Sequence, residues 1–323
     1  MFLLNLCFST FYPGFSSNKW SSSNVRYSYS SGDHWVADSV FFNLINNDNG
    51  GSIMIKQDGE CRILISNSMF YQCRTSLAGG GIYIFCNSGG NSVLSKLCSN
   101  GCQASHENNN AFPYCGQFCF LYANIKNNVF DCTTSESRAI NPTDRTVILL
   151  WGGNQKFDGV NSSCNQVWYD SLAIVSSEIT RSSFCTFANE HPTRSIIVHF
   201  YSGNDSQMFR SNIVNNTITV DIFGHCIQYS SGKSEMLECV IDKNKNGNTF
   251  DQRGGQMTIK DCWIQTGFTN SGAQIINAKS AVPSFSIVHF ASYYCKNDIL
   301  GQTTRIQMNK IQKFVFLNAL VLL

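Results

Sequence analysis

The hydrophobic and polar positions of this chain fall into a six-residue pattern that returns from one end to the other. The pattern is apolar, any, polar, small or polar, usually apolar, apolar. It reads Val36-Ala-Asp-Ser-Val-Phe41, Ile65-Ser-Asn-Ser-Met-Phe70 and Ile125-Lys-Asn-Asn-Val-Phe130. It returns as Phe209-Arg-Ser-Asn-Ile-Val214, Met236-Leu-Glu-Cys-Val-Ile241 and Ile259-Lys-Asp-Cys-Trp-Ile264, with looser copies from Val93, Ile174 and Val288. Successive copies start 29, 28, 32, 49, 35, 27, 23 and 29 residues apart. Such a period signals a stacked repeat, because one repeat cannot bury its apolar edge alone and needs a neighbour on each side. Helical repeats share the period, so composition decides the class. The copies are rich in Ile, Val, Phe, Thr and Ser and lack long 3.6-residue stripes.

A second apolar run lies between copies and is often led by glycine. Examples are Gly50-Gly-Ser-Ile-Met-Ile55, Gly79-Gly-Gly-Ile-Tyr-Ile-Phe85 and Gly116-Gln-Phe-Cys-Phe-Leu121. Each period therefore holds at least two strands separated by turn residues, which is one rung of a parallel β-helix. Positions one and six are expected to stack as internal apolar ladders about 4.8 Å apart. Position three is Asp, Asn, Ser or Glu in eight of the nine copies. Alternation breaks there, which predicts a corner, since short polar side chains tolerate unusual backbone angles and hydrogen-bond nearby amides. Stacked Asn can also form amide ladders. The 49-residue step after Ile125 predicts a side loop or a degenerate rung.

These residues resemble the repeats of right-handed parallel β-helix proteins, the pectin-lyase-like superfamily. The run Gly-Gly-x-Ile-x-Ile followed by Ile-x-Asn-Ser-x-Phe is similar to repeats of the polymorphic outer-membrane-protein class. The resemblance covers roughly residues 30 to 300. It implies an all-β, right-handed, single-stranded parallel β-helix of about nine or ten coils. It implies less about activity, since that group holds both polysaccharide-acting enzymes and adhesins. The expected division is 1–30 as an N-terminal segment (signal remnant or cap), 31–300 as the β-helix, and 301–323 as an apolar C-terminal cap or truncated membrane anchor.

Composition narrows the setting. Only 14% of residues are charged and the net charge is +2, against a usual charged fraction of about 25%. Nothing in that balance favours a nucleic-acid partner. The hydrophobic content of 43% and the 24 Phe argue against disorder. Rossmann, P-loop and His-Glu-x-x-His motifs are absent, and no cofactor is implied. The ends bear on location. Met1 to Phe8 is apolar but has no basic residue before it. The run after Lys313 is too short to span a bilayer as a helix, so membrane association through 301–323 rests on an anchor or on a span cut short. The sequons at Asn161, Asn204 and Asn215 suit a secreted or cell-surface protein.

Candidate chemistry is sparse. Glu238 and Asp261 share position three in copies 23 residues apart. If those rungs are adjacent, the two carboxylates form a glycosidase-like or cation-binding pair, or they diverge into solvent as corner residues. Cys98, Cys102, His106, Cys115 and Cys119 form a loose zinc-like set, with disulfides in a side loop as the competing reading. The other thiols of the 15 cysteines read as small buried hydrophobes or inter-rung disulfides. His34, His106, His191, His199, His225 and His289 do not fall on one repeat position. Tyr83, Tyr122, Trp151, Tyr201, Tyr229 and Trp263 recur along the chain as sugar-stacking or core residues. The functional expectation is a non-enzymatic surface or secreted protein that presents an elongated face to a carbohydrate or another protein. The alternatives are a carbohydrate-active enzyme, a lyase or hydrolase, and a scaffold segment of a larger protein.

Overall fold

A computed structural model describes residues 7–279, save residues 23, 169 and 230 and the segments 106–115, 139–145, 176–177, 193–195, 201–203, 219–224 and 246–247. The described chain is an all-β parallel solenoid. Three long sheets, which we number I, II and III, hold 11, 9 and 10 strands, and a small sheet adds 3 more. One coil runs through His34–Ala37 in sheet I, Val40–Phe42 in sheet II, Ile45–Asn46 in the small sheet and Ile53–Gln57 in sheet III. The chain then re-enters sheet I at Cys61–Ser66. Every pairing between named strands is parallel, for example Val36 with Ile65 and Phe41 with Phe70. Strands also precede residue 31. Lys19–Trp20 pairs with sheet I and Tyr27–Tyr29 with sheet III, so strands begin within the segment 1–30 expected as a signal remnant or cap.

Position one stacks inward as expected, but the register corrects several copies. The sheet I ladder runs Trp20, Val36, Ile65, Leu94, Val129, Phe157, Ser182, Met208, Met236, Ile259, Ile275. Copies beginning at Val93 and Phe209 are thus one residue out, and Val129 rather than Ile125 holds the ladder place. Ile174 belongs to sheet III. The copy at Val288 lies outside the described residues. The misassignments have a physical cause. Val93 points outward yet is apolar because the short helix Phe8–Phe11 and Tyr12 cover it together with Leu64. The 49-residue step holds the Phe157 rung, and the Ser182 rung that follows it lacks its apolar residue.

Position three is a corner, as its polarity predicted. Asp38, Asn67, Lys96, Asp131, Phe184, Arg210, Glu238, Asp261 and Asn277 all have φ between 44° and 55°. Gly159 completes the series. A left-handed residue costs about 1–2 kcal/mol unless it is Gly, Asn or Asp. Here it turns the chain from sheet I to sheet II, and its N–H donates to the next coil, as Asp38 to Ser66 O and Glu238 to Lys260 O. The residue after the corner points inward and fastens the turn. The hydroxyls of Ser39, Ser68 and Ser211 donate to the carbonyl two residues back at 3.0, 2.8 and 3.0 Å. Cys132, Cys185, Cys239 and Cys262 do the same through sulfur at 3.2, 3.4, 3.5 and 3.3 Å. Cysteine therefore stands here as a larger serine, both burying volume and donating a weak hydrogen bond.

A second column of left-handed corners follows sheet II: Asn43, Gln72, Gly101, Glu136, Cys164, Asn189, Asn215 and Lys243. Behind it runs an inward column that the six-residue pattern did not reveal: Leu44, Cys73, Cys102, Ser137, Asn165, Glu190, Asn216, Asn244, Gln265. The amide ladder lies here, not at position three. Position three sends its side chain outward, whereas this column faces the amides of the coil behind it. Asn216 Oδ1 accepts from Glu190 N–H at 2.8 Å, and Asn244 Oδ1 accepts from Asn216 N–H and Nδ2–H at 3.1 and 2.9 Å. Gln265 Oε1 accepts from Asn244 N–H at 2.8 Å.

Candidate functional site

Sheet III has its inner face in the solenoid core, through ladders such as Ile53, Ile82, Cys119, Ile148, Leu172, Val198, Ile227 and Phe250. Strict alternation then forces the intervening residues onto the outer face. One outer row runs Met54, Tyr83, Phe120, Leu149, Ala173, His199, Gln228, Asp251. A second runs Lys56, Phe85, Tyr122, Trp151, Val175. The aromatics of each row stack between coils, Tyr83 on Phe120 at 5.0 Å and Phe85 on Tyr122 at 4.9 Å, with Trp151 edge-on to Tyr122 at 6.4 Å.

This face changes character along the solenoid axis. At the aromatic end Phe85, Tyr122 and Trp151 are half-buried. Tyr83 is buried more deeply, and burial, followed by the charge of Asp48, pushes its hydroxyl up to about 12. At the other end the row becomes polar. Asp251 Oδ2 accepts from Gln228 Nε2 at 2.8 Å and from Arg253 Nε at 2.8 Å. The first row is itself buried, Leu149 and Ala173 fully and Gln228 and Asp251 to 3% and 8% exposure, so what this face offers is the half-buried rings of Phe85, Tyr122 and Trp151. Stacked rings cover each other's faces, so Phe85 and Tyr122 contribute edge contacts and ladder stability rather than open stacking platforms.

The sequence-predicted residues are dispersed. Glu238 and Asp261 do occupy one corner position in adjacent coils, as their shared position three required. Glu238 turns toward the preceding coil, where its Oε2 accepts from Arg210 Nε at 2.7 Å. Among the zinc-like set, Cys98 is disulfide-bonded. Cys102 and Cys119 point into the core and are fully buried, and His106 and Cys115 lie outside the described residues. Among the described residues no group of three His, Cys, Asp or Glu is placed to hold a metal ion.

Asn204 and Asn215 are exposed, while Asn161 is buried within the strand Asn161–Ser163. Of the aromatics, Tyr83, Tyr122 and Trp151 come together on sheet III. Tyr229 faces the core, Trp263 lies on sheet II beneath Lys279 (4.3 Å), and Tyr201 lies outside the described residues. His34 is internal and bonded to Tyr27 at 3.0 Å, and burial holds its pKa below the usual value. His191 is exposed, His199 and His225 lie on sheet III at different positions, and His289 is outside the described residues. The C-terminal segment 301–323 is likewise outside them. Among the described residues no helix is long and apolar enough to cross a membrane.

Glu190 escaped the sequence reading altogether. It is fully buried within the amide ladder. Its Oε2 accepts from Asn165 N–H at 2.9 Å and its Oε1 from Asn165 Nδ2–H at 3.1 Å. Burial pushes its carboxyl up to about 7, against the opposing pull of the nearby Ser162 hydroxyl and of the hydrogen bonds from Asn165. A signal existed in the chain, since Asn165, Glu190, Asn216 and Asn244 each follow a left-handed corner by one residue. Only the coil register makes that series visible.

No protein-family model, curated protein or solved structure matches this chain.

Proposed function

We propose that the chain is a non-enzymatic surface or secreted β-helix protein whose long outer face recognises an extended partner, a carbohydrate or another protein. The observation that carries this reading is the half-exposed aromatic row of sheet III, Phe85, Tyr122 and Trp151 in successive coils. Such a row repeats contacts along the solenoid axis, which suits a ligand that is itself elongated. The low charge of the chain favours a neutral partner bound by ring edges, hydroxyls and amides. Within solenoids, we read the repeats as those of the pectin-lyase-like superfamily, nearest the polymorphic outer-membrane-protein class. Attachment to a membrane through 301–323 belongs to the same reading.

The competing reading is a polysaccharide lyase or glycoside hydrolase centred on Glu238 and Asp261. Two assays on the full chain separate them. Binding to an array of neutral and acidic glycans and to candidate surface proteins should weaken by about tenfold in Trp151→Ala, a loss of ~1.4 kcal/mol, with an unchanged far-UV spectrum. Cleavage of any polysaccharide that Glu238→Gln and Asp261→Asn abolish would replace the recognition reading with the enzymatic one.

A further inference from the structure

Six buried cysteines meet as three pairs across neighbouring coils. Cys73 and Cys102 occupy one place of the inward column behind the second corner, as the adjoining pairing of Arg74 with Gln103 requires. Their thiols are close enough to perturb each other's ionisation. Cys239 and Cys262 occupy one place behind the first corner, beside the pairing of Val240 with Trp263. Cys239 N–H donates to Cys262 Sγ at 3.3 Å, which seats the Cys262 sulfur directly against Cys239. The third pair arises differently. Cys61 lies beside Gly90 in sheet I, and a Cβ on Gly90 would come within 2.5 Å of Cys86 Cβ. The absent side chain leaves the space in which the Cys61 and Cys86 thiols come close enough to perturb each other's ionisation.

We propose that Cys61–Cys86, Cys73–Cys102 and Cys239–Cys262 are latent disulfides that staple adjacent coils, closed by exchange with a low-molecular-weight disulfide as the coils form. For Cys73–Cys102 and Cys239–Cys262 the neighbouring parallel strands lie about 4.8 Å apart, inside the range of Cα separations that a disulfide spans. In each closure one protein thiolate attacks the small disulfide and releases one small thiol. The second protein thiolate then attacks the mixed disulfide and releases the other. The two protein thiols lose two protons and two electrons, and the small disulfide takes them up as two thiols. Burial holds the Cys102 and Cys239 thiols well above the ordinary thiol range, which keeps them protonated and unreactive once the coils have closed. Exchange therefore belongs to the open chain.

The molecule carries its own control. Cys132 and Cys185 sit in the same column as Cys239 and Cys262, but their column neighbours are Leu97, Val160 and Ser211. The test is to refold the full chain from urea with oxidised and reduced glutathione, and in parallel with a reductant. Remaining thiols are then alkylated in denaturant, and the cross-linked peptides are mapped by mass spectrometry. The expected result is loss of both thiols of each named pair, with Cys132 and Cys185 still alkylated and the far-UV spectrum the same in both arms. Cys102→Ser should free Cys73 alone. Serine fits there, because Ser137 fills the next place of that column. Full alkylation of the six thiols after oxidation, or cross-links that join them to Cys132 or Cys185, would overturn the proposal.

Discussion

Glu190 offers a quantitative test of the interior. Its carboxyl has an ordinary value of 4.5 and is held at about 7 by burial. Because the folded-state pKa is raised, the folded protein binds this proton more tightly than the unfolded chain does. Its stabilising contribution is complete below about pH 4.5 and is lost as pH rises to about 7. The loss accrues at about 1.4 kcal/mol per pH unit and totals ~3 kcal/mol above pH 7. In Glu190→Gln that dependence disappears. The amide keeps one acceptor for Asn165 N–H but cannot accept a second bond from Asn165 Nδ2–H, a pH-independent cost of ~1 kcal/mol. The wild type should therefore be the more stable protein at pH 4.5, and the variant the more stable by ~2 kcal/mol at pH 8. Thermal unfolding followed by circular dichroism at half-unit pH steps reads this out. At roughly 2 °C per kcal/mol for a chain of this size, the difference between the two midpoints should swing by about 6 °C. Asp131, whose carboxyl is also raised by burial and by Asp158, is common to both proteins and cancels. Parallel curves across the range would refute the buried, protonated carboxyl.

Two further substitutions probe the ladders. Phe70 is fully buried, stacked on Phe41 at 4.9 Å and against Phe118 at 5.6 Å. Phe70→Asp removes about 3–5 kcal/mol of packing and buries a charge as well, so it should lose the cooperative thermal transition; a wild-type melt would count against the sheet II ladder. Asn216→Ala should cost roughly 2–5 kcal/mol in urea denaturation, because it removes the acceptor of Glu190 N–H and a donor to Phe187 O inside the core. The neighbouring Asn215→Ala, at an exposed left-handed corner, should cost about 1–2 kcal/mol. Equal costs for the two would remove the distinction between inward and outward asparagines.

The legible part of this protein was the part set by local alternation. Val36 with Phe41, Ile65 with Phe70, Met236 with Ile241 and Ile259 with Ile264 announce two inward ladders and a corner between them, and the structure has all three. Reading failed where an outward residue was apolar for a reason far away in sequence. Val93 is covered by the helix Phe8–Phe11, and its apolar character shifted the copy by one. It failed again where an inward residue was polar, as at Ser182, Asn165 and Glu190, because a hexamer scored on hydrophobicity cannot recognise an interior position filled by amides and hydroxyls. The outer face of sheet III was only half legible. Tyr83, Tyr122 and Trp151 were singled out beside Tyr229 and Trp263, which belong to other surfaces.

By itself the sequence determined that the chain coils, roughly where each coil turns and which side chains fill two of its inner columns, since those follow from alternation and from the tolerance of short polar residues for left-handed backbone. Only the tertiary structure decided the register of one coil on the next. That register is a long-range property, in which each residue answers to partners some 23 to 35 positions away. It alone places Glu190 between two asparagines, turns Glu238 toward Arg210, pairs six cysteines and lines up the outer row from Tyr83 to Asp251.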